Sequence, residues 1–467
     1  MFGYVSTRGK ALRLGFADAA LEGLATDGGL YVPELCPKIS DVEFSNMAHQ
    51  SYIEVAWRVI LPFVADDIPS GDLLKILQAS WRRFDSKEIA PIHSLSGNFH
   101  VLELFHGPTF AFKDLALQFL GQIFDYLLEK RQGRVTIAAA TSGDTGSAAI
   151  EAFRGKKNAD IFILHPHGRV SDVQRRQMTT VLDDNVFNVA VEGSFDDCQD
   201  IVKGLFNDEP FRREVNLSAV NSINWARILA QVVYYVYAAA RLKAAPERPL
   251  TFSVPTGNFG NIYAGYVAKN MGVPIDRLLA ATNRNDILYR FFKTGRMEAT
   301  RVIPTLSPSM DIQISSNFER LLFDMLGRSG DAVTQTMAHF RTAGPFDMDA
   351  QIMEKVRKTF DSGHKDDAQT LEVMRIVQQK SHYLLDPHSA VGVAVAEDYQ
   401  RLNPKSVMVS LATAHPAKFP AAVRRATGMD PPVPPLLYGL EQKPEKFQIL
   451  PPDLDRVRDY MRQGLKK

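Results

Sequence analysis

The sequence predicts an α/β protein made of two doubly wound domains with mainly parallel sheets, preceded by a small N-terminal domain. Three observations carry this expectation. From about residue 95, short apolar runs alternate with stretches whose apolar residues recur at helical spacing. Those stretches are long enough to be the crossovers that parallel strands need, which covers the sheets on both faces. The chain, at 467 residues, is also too long for a single core. We expect domains at 1–95, 96–248 and 249–467, the last two divided near 245–250, about the linker AAPERP.

Composition narrows the class. Hydrophobic residues make up 45% and charged residues 23%, as in ordinary globular chains. A net charge of +1 provides no global field to recruit nucleic acid or an anionic membrane. No apolar run reaches membrane-spanning length, and MFGYVSTRGK lacks the apolar core of a signal peptide. Cys36 and Cys198 make neither a metal pair nor a disulfide framework, so a cytoplasmic protein is expected.

In order along the chain, residues 1–95 carry loop punctuation at Asp27-Gly28-Gly29, Pro33, Pro37 and Pro62, with helical stretches near 42–60 and 70–83. They read as a packing domain rather than a site. Pro108 and Gly107 break whatever strand precedes them, and Leu115, Phe119, Ile123 and Leu127 start a long helix. Strands follow at 135–140, 161–164, 186–191, 250–254, 278–281 and 407–411. Helices are expected at 147–153, 195–206, 225–243, 262–271, 287–293, 391–399 and 418–426. Residues 341–387 read as a mostly helical, charged insertion, and the proline-rich 431–451 as a surface-hugging tail.

Chemistry in such sheets collects at the carboxyl ends of the strands. Lys113 lies where the HGPTFAFKD loop enters its helix. The helix N-terminus repels its charge and Phe112 desolvates it, and both effects lower an amine pKa, as a Schiff-base lysine needs. The plainer alternative is a lysine that snorkels to solvent beside Asp114. The loop Thr256-Gly257-Asn258-Phe259-Gly260-Asn261 can focus backbone amides and a helix dipole on one phosphate, or be a simple βα turn. It has neither Walker nor dinucleotide spacing. The TSGDTG loop at 141–146 can bind a carboxylate through Ser142 and Thr145, or cap its helix through Asp144 or Thr145. Thr413, at the end of the last strand, can meet a heteroaromatic nitrogen or be an ordinary strand-end residue, with His415 a satisfied turn histidine. Asn221, Ser222 and Arg227 can form a second anion site, or a cap with a surface arginine. His165 and His167 lack supporting metal ligands, so no metal is expected. Nor is there a nucleophile elbow. A desolvated lysine, a monophosphate cradle, a carboxylate loop and a hydroxyl for a ring nitrogen are the contacts pyridoxal 5'-phosphate requires.

With these segments in view, the chain resembles the threonine synthase family, in its longer-chain branch among the tryptophan-synthase-β-like, fold type II pyridoxal phosphate enzymes. The likeness rests on YVSTRG, DGGLYVP, LFHGPT, AFKD, TSGDTG, GRVSDVQ, NSIN, PTGNFGN, SPSMDIQISSNFERLL and ATAHPAKFP, in that order along nearly the whole chain. The resemblance implies that Lys113 forms the Schiff base and that Gly257, Asn258, Phe259, Gly260 and Asn261 surround the cofactor phosphate. It further implies that Thr413 faces the pyridine nitrogen and that Ser142 and Thr145 contact substrate. Asn221, Ser222 and Arg227 would hold the substrate's own phosphate. Asp144 stands where shorter-chain relatives have asparagine; an ionised aspartate cannot donate to the cofactor's ring hydroxyl, so it either accepts that proton or caps the helix. The implied reaction is O-phospho-L-homoserine and water to L-threonine and phosphate. A serine/threonine dehydratase-like lyase and a non-catalytic binder of phosphate ligands on the same scaffold are the alternatives. Either a monomer or a homodimer is compatible with the sequence.

Overall fold

The computed structural model describes residues 2–465. Two parallel sheets form its centre. The larger has six strands in the order Phe360–His364, Ile275–Thr282, Leu250–Pro255, Val407–Ala412, Phe99–Glu103 and Ile92–Ser96. All its pairings are parallel except the last, an antiparallel hairpin. The five-stranded sheet runs Gln448–Leu450, Val186–Val191, Ala159–Pro166, Val135–Ala140, Leu217–Ser218, parallel throughout. The strands at Leu250–Pro255, Val407–Ala412 and Ala159–Pro166 are buried along their whole length. Their apolar runs reflect burial on both faces, as helix-covered parallel sheets require.

The expected division near 248 is crossed in both directions. Strands at 92–103 join the sheet built mostly from residues after 248, and Gln448–Leu450 crosses back to pair with Val186–Val191. The stretch 341–387 is likewise not simply a helical insertion. Within it Phe360–His364 extends the large sheet beside Ile275–Thr282, between the helices Ala350–Arg357 and Asp367–Ser381. The tail at 431–451 holds two short 3-10 turns and the edge strand Gln448–Leu450.

At the N-terminus, the strands Tyr4–Ser6 and Tyr31–Pro33 pair antiparallel. The helices Asp41–Met47 and Tyr52–Val64 each begin in a capping box, Ser40 with Glu43 and Ser51 with Glu54. This part is bolted to the central helices. The Tyr52 ring packs edge-on against Trp81 and Tyr237, and Trp81 Nε1–H donates to Leu115 O at 3.0 Å. Asn224 caps the helix Trp225–Arg241 and also donates to Ala20 O at 2.8 Å.

The helix Lys113–Arg131 starts against the large sheet and runs along the helix Asp144–Phe153. Its loop is laced to the end of the Val407–Ala412 strand: Phe112 N–H donates to Thr413 O at 2.8 Å and His415 N–H to Phe110 O at 3.0 Å. The two helices come close at Gly121, where a Cβ would lie 2.4 Å from Ala152 O. Gly121→Val should therefore separate the helices and cost about 1–3 kcal/mol, read as a lower urea midpoint at an unchanged slope.

Candidate active site

Lys113 is the first residue of its helix and only 9% exposed. Its Nζ lies 3.4 Å from Asp144 Oδ2, 3.4 Å from Ser309 Oγ and 5.5 Å from the centre of the Phe112 ring. The lysine does not snorkel. Nor is Asp114 its partner, because that buried carboxylate turns back to Thr109, accepting from its N–H at 2.8 Å and its hydroxyl at 2.7 Å. Burial pushes the Asp114 carboxyl up to about 6, with the Thr109 bonds opposing. Burial is also the main force lowering the Lys113 amine. Asp144 opposes that shift, while the charges of Lys418 and Arg227 reinforce it.

Asp144 does not cap its helix. Thr141 does that work: its Oγ1 accepts from Gly143 N at 3.0 Å and from Gly146 N at 2.8 Å. The freed Asp144 carboxylate takes Lys418 Nζ at 2.7 Å and Gln174 Nε2 at 2.8 Å, as well as Lys113. Gln174 can come this close because Gly143, at φ +140°, has no Cβ; one there would lie 2.5 Å from Gln174 Cδ. Burial alone would raise the Asp144 carboxyl, but the charges of Lys418 and Lys113, then the bonds from Lys418 and Gln174, hold it far below the carboxylate range. Ser142 and Thr145, on either side of this loop, are half-buried.

Arg227 is no surface residue: it is 3% exposed in the first turn of its helix. One terminal N–H donates to Val220 O at 3.0 Å, its Nε has no partner, and no carboxylate pairs with it among the described residues. Burial lowers the guanidinium to about 10, so it stays cationic at neutral pH. Asn221 and Ser222 are half-buried in the turn before this helix.

The turn before the helix Gly260–Asn270 presents free helix-end amides, as an anion site does. Phe259, at φ +64°, swings its ring away into a cluster with Phe292, Phe318 and Phe360. Its backbone alone is left for the turn. Asn261 Oδ1 accepts from Tyr235 OH at 2.9 Å, whereas its buried Nδ2 has no partner. Asn258 is exposed. The turn and the lysine meet across Ser309: a Cβ on Gly257 would sit 2.6 Å from Ser309 O. Thr413 is buried and reaches the lysine's neighbour through its carbonyl. His415 is a satisfied turn histidine, its Nδ1 accepting from Ala417 N at 3.1 Å.

Two unpartnered buried donors, Arg227 Nε and Asn261 Nδ2, thus lie on elements that converge on an amine whose pKa is depressed. A ligand with one anionic group at the turn, an electrophilic carbon at Lys113 and a second anion near Arg227 fits this set, as pyridoxal phosphate with a phosphorylated substrate would. Buried His165, with no partner on either ring nitrogen, is lowered to about 4 by burial and stays neutral. The described residues hold no group of three His, Cys, Asp or Glu placed for a metal.

Sequence reasoning passed over Lys418, Gln174 and Ser309. Lys418 carried a signal, since like Lys113 it sits beside a phenylalanine in an otherwise apolar segment. Gln174 and Ser309 lie in the segments GRVSDVQ and SPSMDIQISSNFERLL but carried no chemical signal of their own, because their role is set by contacts distant in sequence.

The family model for the threonine synthase N terminus matches residues 3–81, that for pyridoxal-phosphate dependent enzymes residues 88–343, and that for the threonine synthase C-terminal part residues 389–461. Threonine synthase of Pseudomonas aeruginosa is 52% identical over 98% of both chains. The chain belongs to the threonine synthase family. The yeast enzyme of that family, from Saccharomyces cerevisiae, is 44% identical over 97% of this chain and 93% of its own. A pyridoxal phosphate-bound threonine synthase crystal structure from Brucella melitensis superposes with a TM-score of 0.95 at 50% identity, covering 99% of each chain. A threonine deaminase from Solanum lycopersicum, at 12% identity and TM-score 0.51, shares the fold alone. The fold is thus the type II pyridoxal phosphate fold with the family's N-terminal domain, and pyridoxal 5'-phosphate is the cofactor.

Because the Asp144 carboxyl titrates lower folded than unfolded, its stabilisation is complete above the unfolded value near pH 4 and is lost as pH falls further. Asp144→Asn leaves buried Lys418 without its carboxylate and should cost about 3–5 kcal/mol at pH 7. Urea unfolding checks this: the variant and parent stabilities should converge below about pH 4.

Proposed function

We infer that the chain is a pyridoxal phosphate-dependent threonine synthase, converting O-phospho-L-homoserine and water to L-threonine and phosphate. In the net reaction the Cγ–O bond breaks, phosphate departs and the oxygen of water ends on Cβ. One observation supports this reading above a dehydratase: a buried, unpaired arginine provides a second anion site apart from the turn at 257–261. A plain dehydratase substrate has no phosphate to place there.

When bound, the cofactor supplies an aldehyde carbon for an amine and a ring that draws electron density from the substrate's Cα. Lys113 is the amine we assign to the aldehyde, and also the base for the Cα proton. Its depressed pKa leaves more of it neutral at pH 7. We assign the backbone and Asn261 amide of the turn at 257–261 to the cofactor phosphate, and the Thr413 hydroxyl to the ring nitrogen. A hydroxyl there does not enforce a ring cation as a carboxylate would. Ser142 and Thr145 are assigned to the substrate carboxylate, and Asn221, Ser222 and Arg227 to its phosphate. Asp144 holds Lys113 and Lys418 together, so its part in catalysis is to fix the amine. We place the reaction in the cytoplasm, a reading supported by two free cysteines. Among the described residues no helix is long and apolar enough to cross a membrane.

The purified protein should be yellow, bleach with borohydride, and release phosphate and threonine together from O-phosphohomoserine. Release of phosphate without threonine would favour an eliminating lyase. Lys113→Ala should lose the Schiff-base colour and at least about 10³-fold in kcat. Arg227→Ala should keep the colour and raise KM about 10–100-fold, the value of a charge-assisted bond to phosphate. A colourless Arg227→Ala protein would contradict the assignment of this arginine to substrate.

A further inference from the structure

The short turn Pro308–Met310 places Ser309 Oγ 3.4 Å from Lys113 Nζ. The backbone N–H of Ser309 donates to Nε2 of His388 at 3.2 Å. His388 is buried, and its Nδ1 lies 2.8 Å from Asp386 Oδ1. Since Nε2 accepts, the ring proton is assigned to Nδ1 and is given to Asp386. Asp386 itself is 1% exposed. Its second oxygen accepts from the Ser389 hydroxyl, and Ser389 Oγ in turn accepts from Thr413 N–H at 2.9 Å. Thr413 O takes the N–H of Phe112, the residue bonded to Lys113. The path closes on itself.

Asp386 also caps the helix Pro387–Leu402, accepting from His388 N at 2.9 Å and Ser389 N at 3.3 Å. A cap alone needs only such backbone bonds. It does not need a histidine and a serine on the same carboxylate, each handing the contact on to a different wall of the site. We propose that Asp386 is a positioning residue for the reaction: through His388 it sets the Ser309 hydroxyl against the Lys113 amine, and through Ser389 it sets the strand end carrying Thr413. Ser309 is then a catalytic residue, in contact with the reacting nitrogen. A neutral amine has two N–H bonds and one lone pair. With Asp144 and Ser309 as acceptors for the two N–H bonds, the lone pair has one remaining direction. Lys418 and Arg227, the other charges facing this amine, offer no acceptor. This inference rests on the reading that Lys113 carries the cofactor and moves the Cα proton.

The test uses the cofactor-loaded protein and avoids Asp386→Ala, which would strip the helix cap. Ser309→Ala removes the hydroxyl, His388→Leu removes the acceptor of the Ser309 backbone N–H, and His388→Gln returns a carbonyl oxygen near the place of Nε2. We expect the first two to lower kcat about 10–100-fold with KM unchanged, and the double variant to be no worse than either. Loss of an acceptor beside Nζ disfavours its protonated form, so the pH midpoint of the visible absorbance should fall by about one pH unit in both and return in His388→Gln. Multiplicative losses in the double variant, a parental midpoint in Ser309→Ala, or a His388→Gln protein as impaired as His388→Leu would overturn the proposal. Lys113→Ala is the separate control. If it kept its colour, the reading of Lys113 would fall, whatever the serine and histidine variants did.

Discussion

One buried carboxylate holds this site together. Asp144 meets two lysine amines, Lys113 and Lys418, inside a region from which water is largely excluded. Removing such charges from water costs several kcal/mol each, recovered only where geometry is good and other hydrogen bonds are made. Asp144 meets that condition with Gln174 and Lys418 on one oxygen and Lys113 on the other. The longer contact to Lys113 is chemically sensible. A tight bond would fix the proton on that amine, whereas the tight bond to Lys418 keeps the carboxylate ionised. Lys418 makes the shorter contact, at 2.7 Å, and leaves Lys113 the longer one, at 3.4 Å.

The surplus of positive charge follows from the same layout. Arg227 adds a third buried cation with no carboxylate of its own. A protein without ligands gains nothing from this, so the arrangement is understandable as stored affinity for anions. The two empty donors, on Arg227 and Asn261, lie on different helices, Trp225–Arg241 and Gly260–Asn270.

Much of the scaffold was legible from residue order. The central strands are fully buried, so their sequences are mostly apolar, as at 186–191 and 250–255, with only Asn188, Thr251 and Ser253 interrupting. Lys113 stood out because a charge beside phenylalanine at a helix start is costly. The reading failed where burial is partial or partners are remote. Phe360–His364 alternates buried and half-exposed positions and ends in Ser-Gly-His, so no apolar run marks it as an edge strand. Gln448–Leu450 is mostly exposed and equally unmarked. Asp144 looked like a cap because helix starts favour aspartate, but Thr141 occupies that role from outside the helix. The Asp386 network depends on residues that become neighbours only when strands 99–103 and 407–412 lie side by side.

That adjacency of early and late strands also constrains how the molecule is made. Synthesis delivers Lys113 and Asp144 long before Lys418, and the carboxylate waits without its strongest partner until the segment after the strand Val407–Ala412 has emerged. Until then the carboxylate beside the amine lacks its shortest ion pair. Holding the amine and the carboxylate in register is thus a long-range task, done by a segment that lies about three hundred residues after the helix it completes.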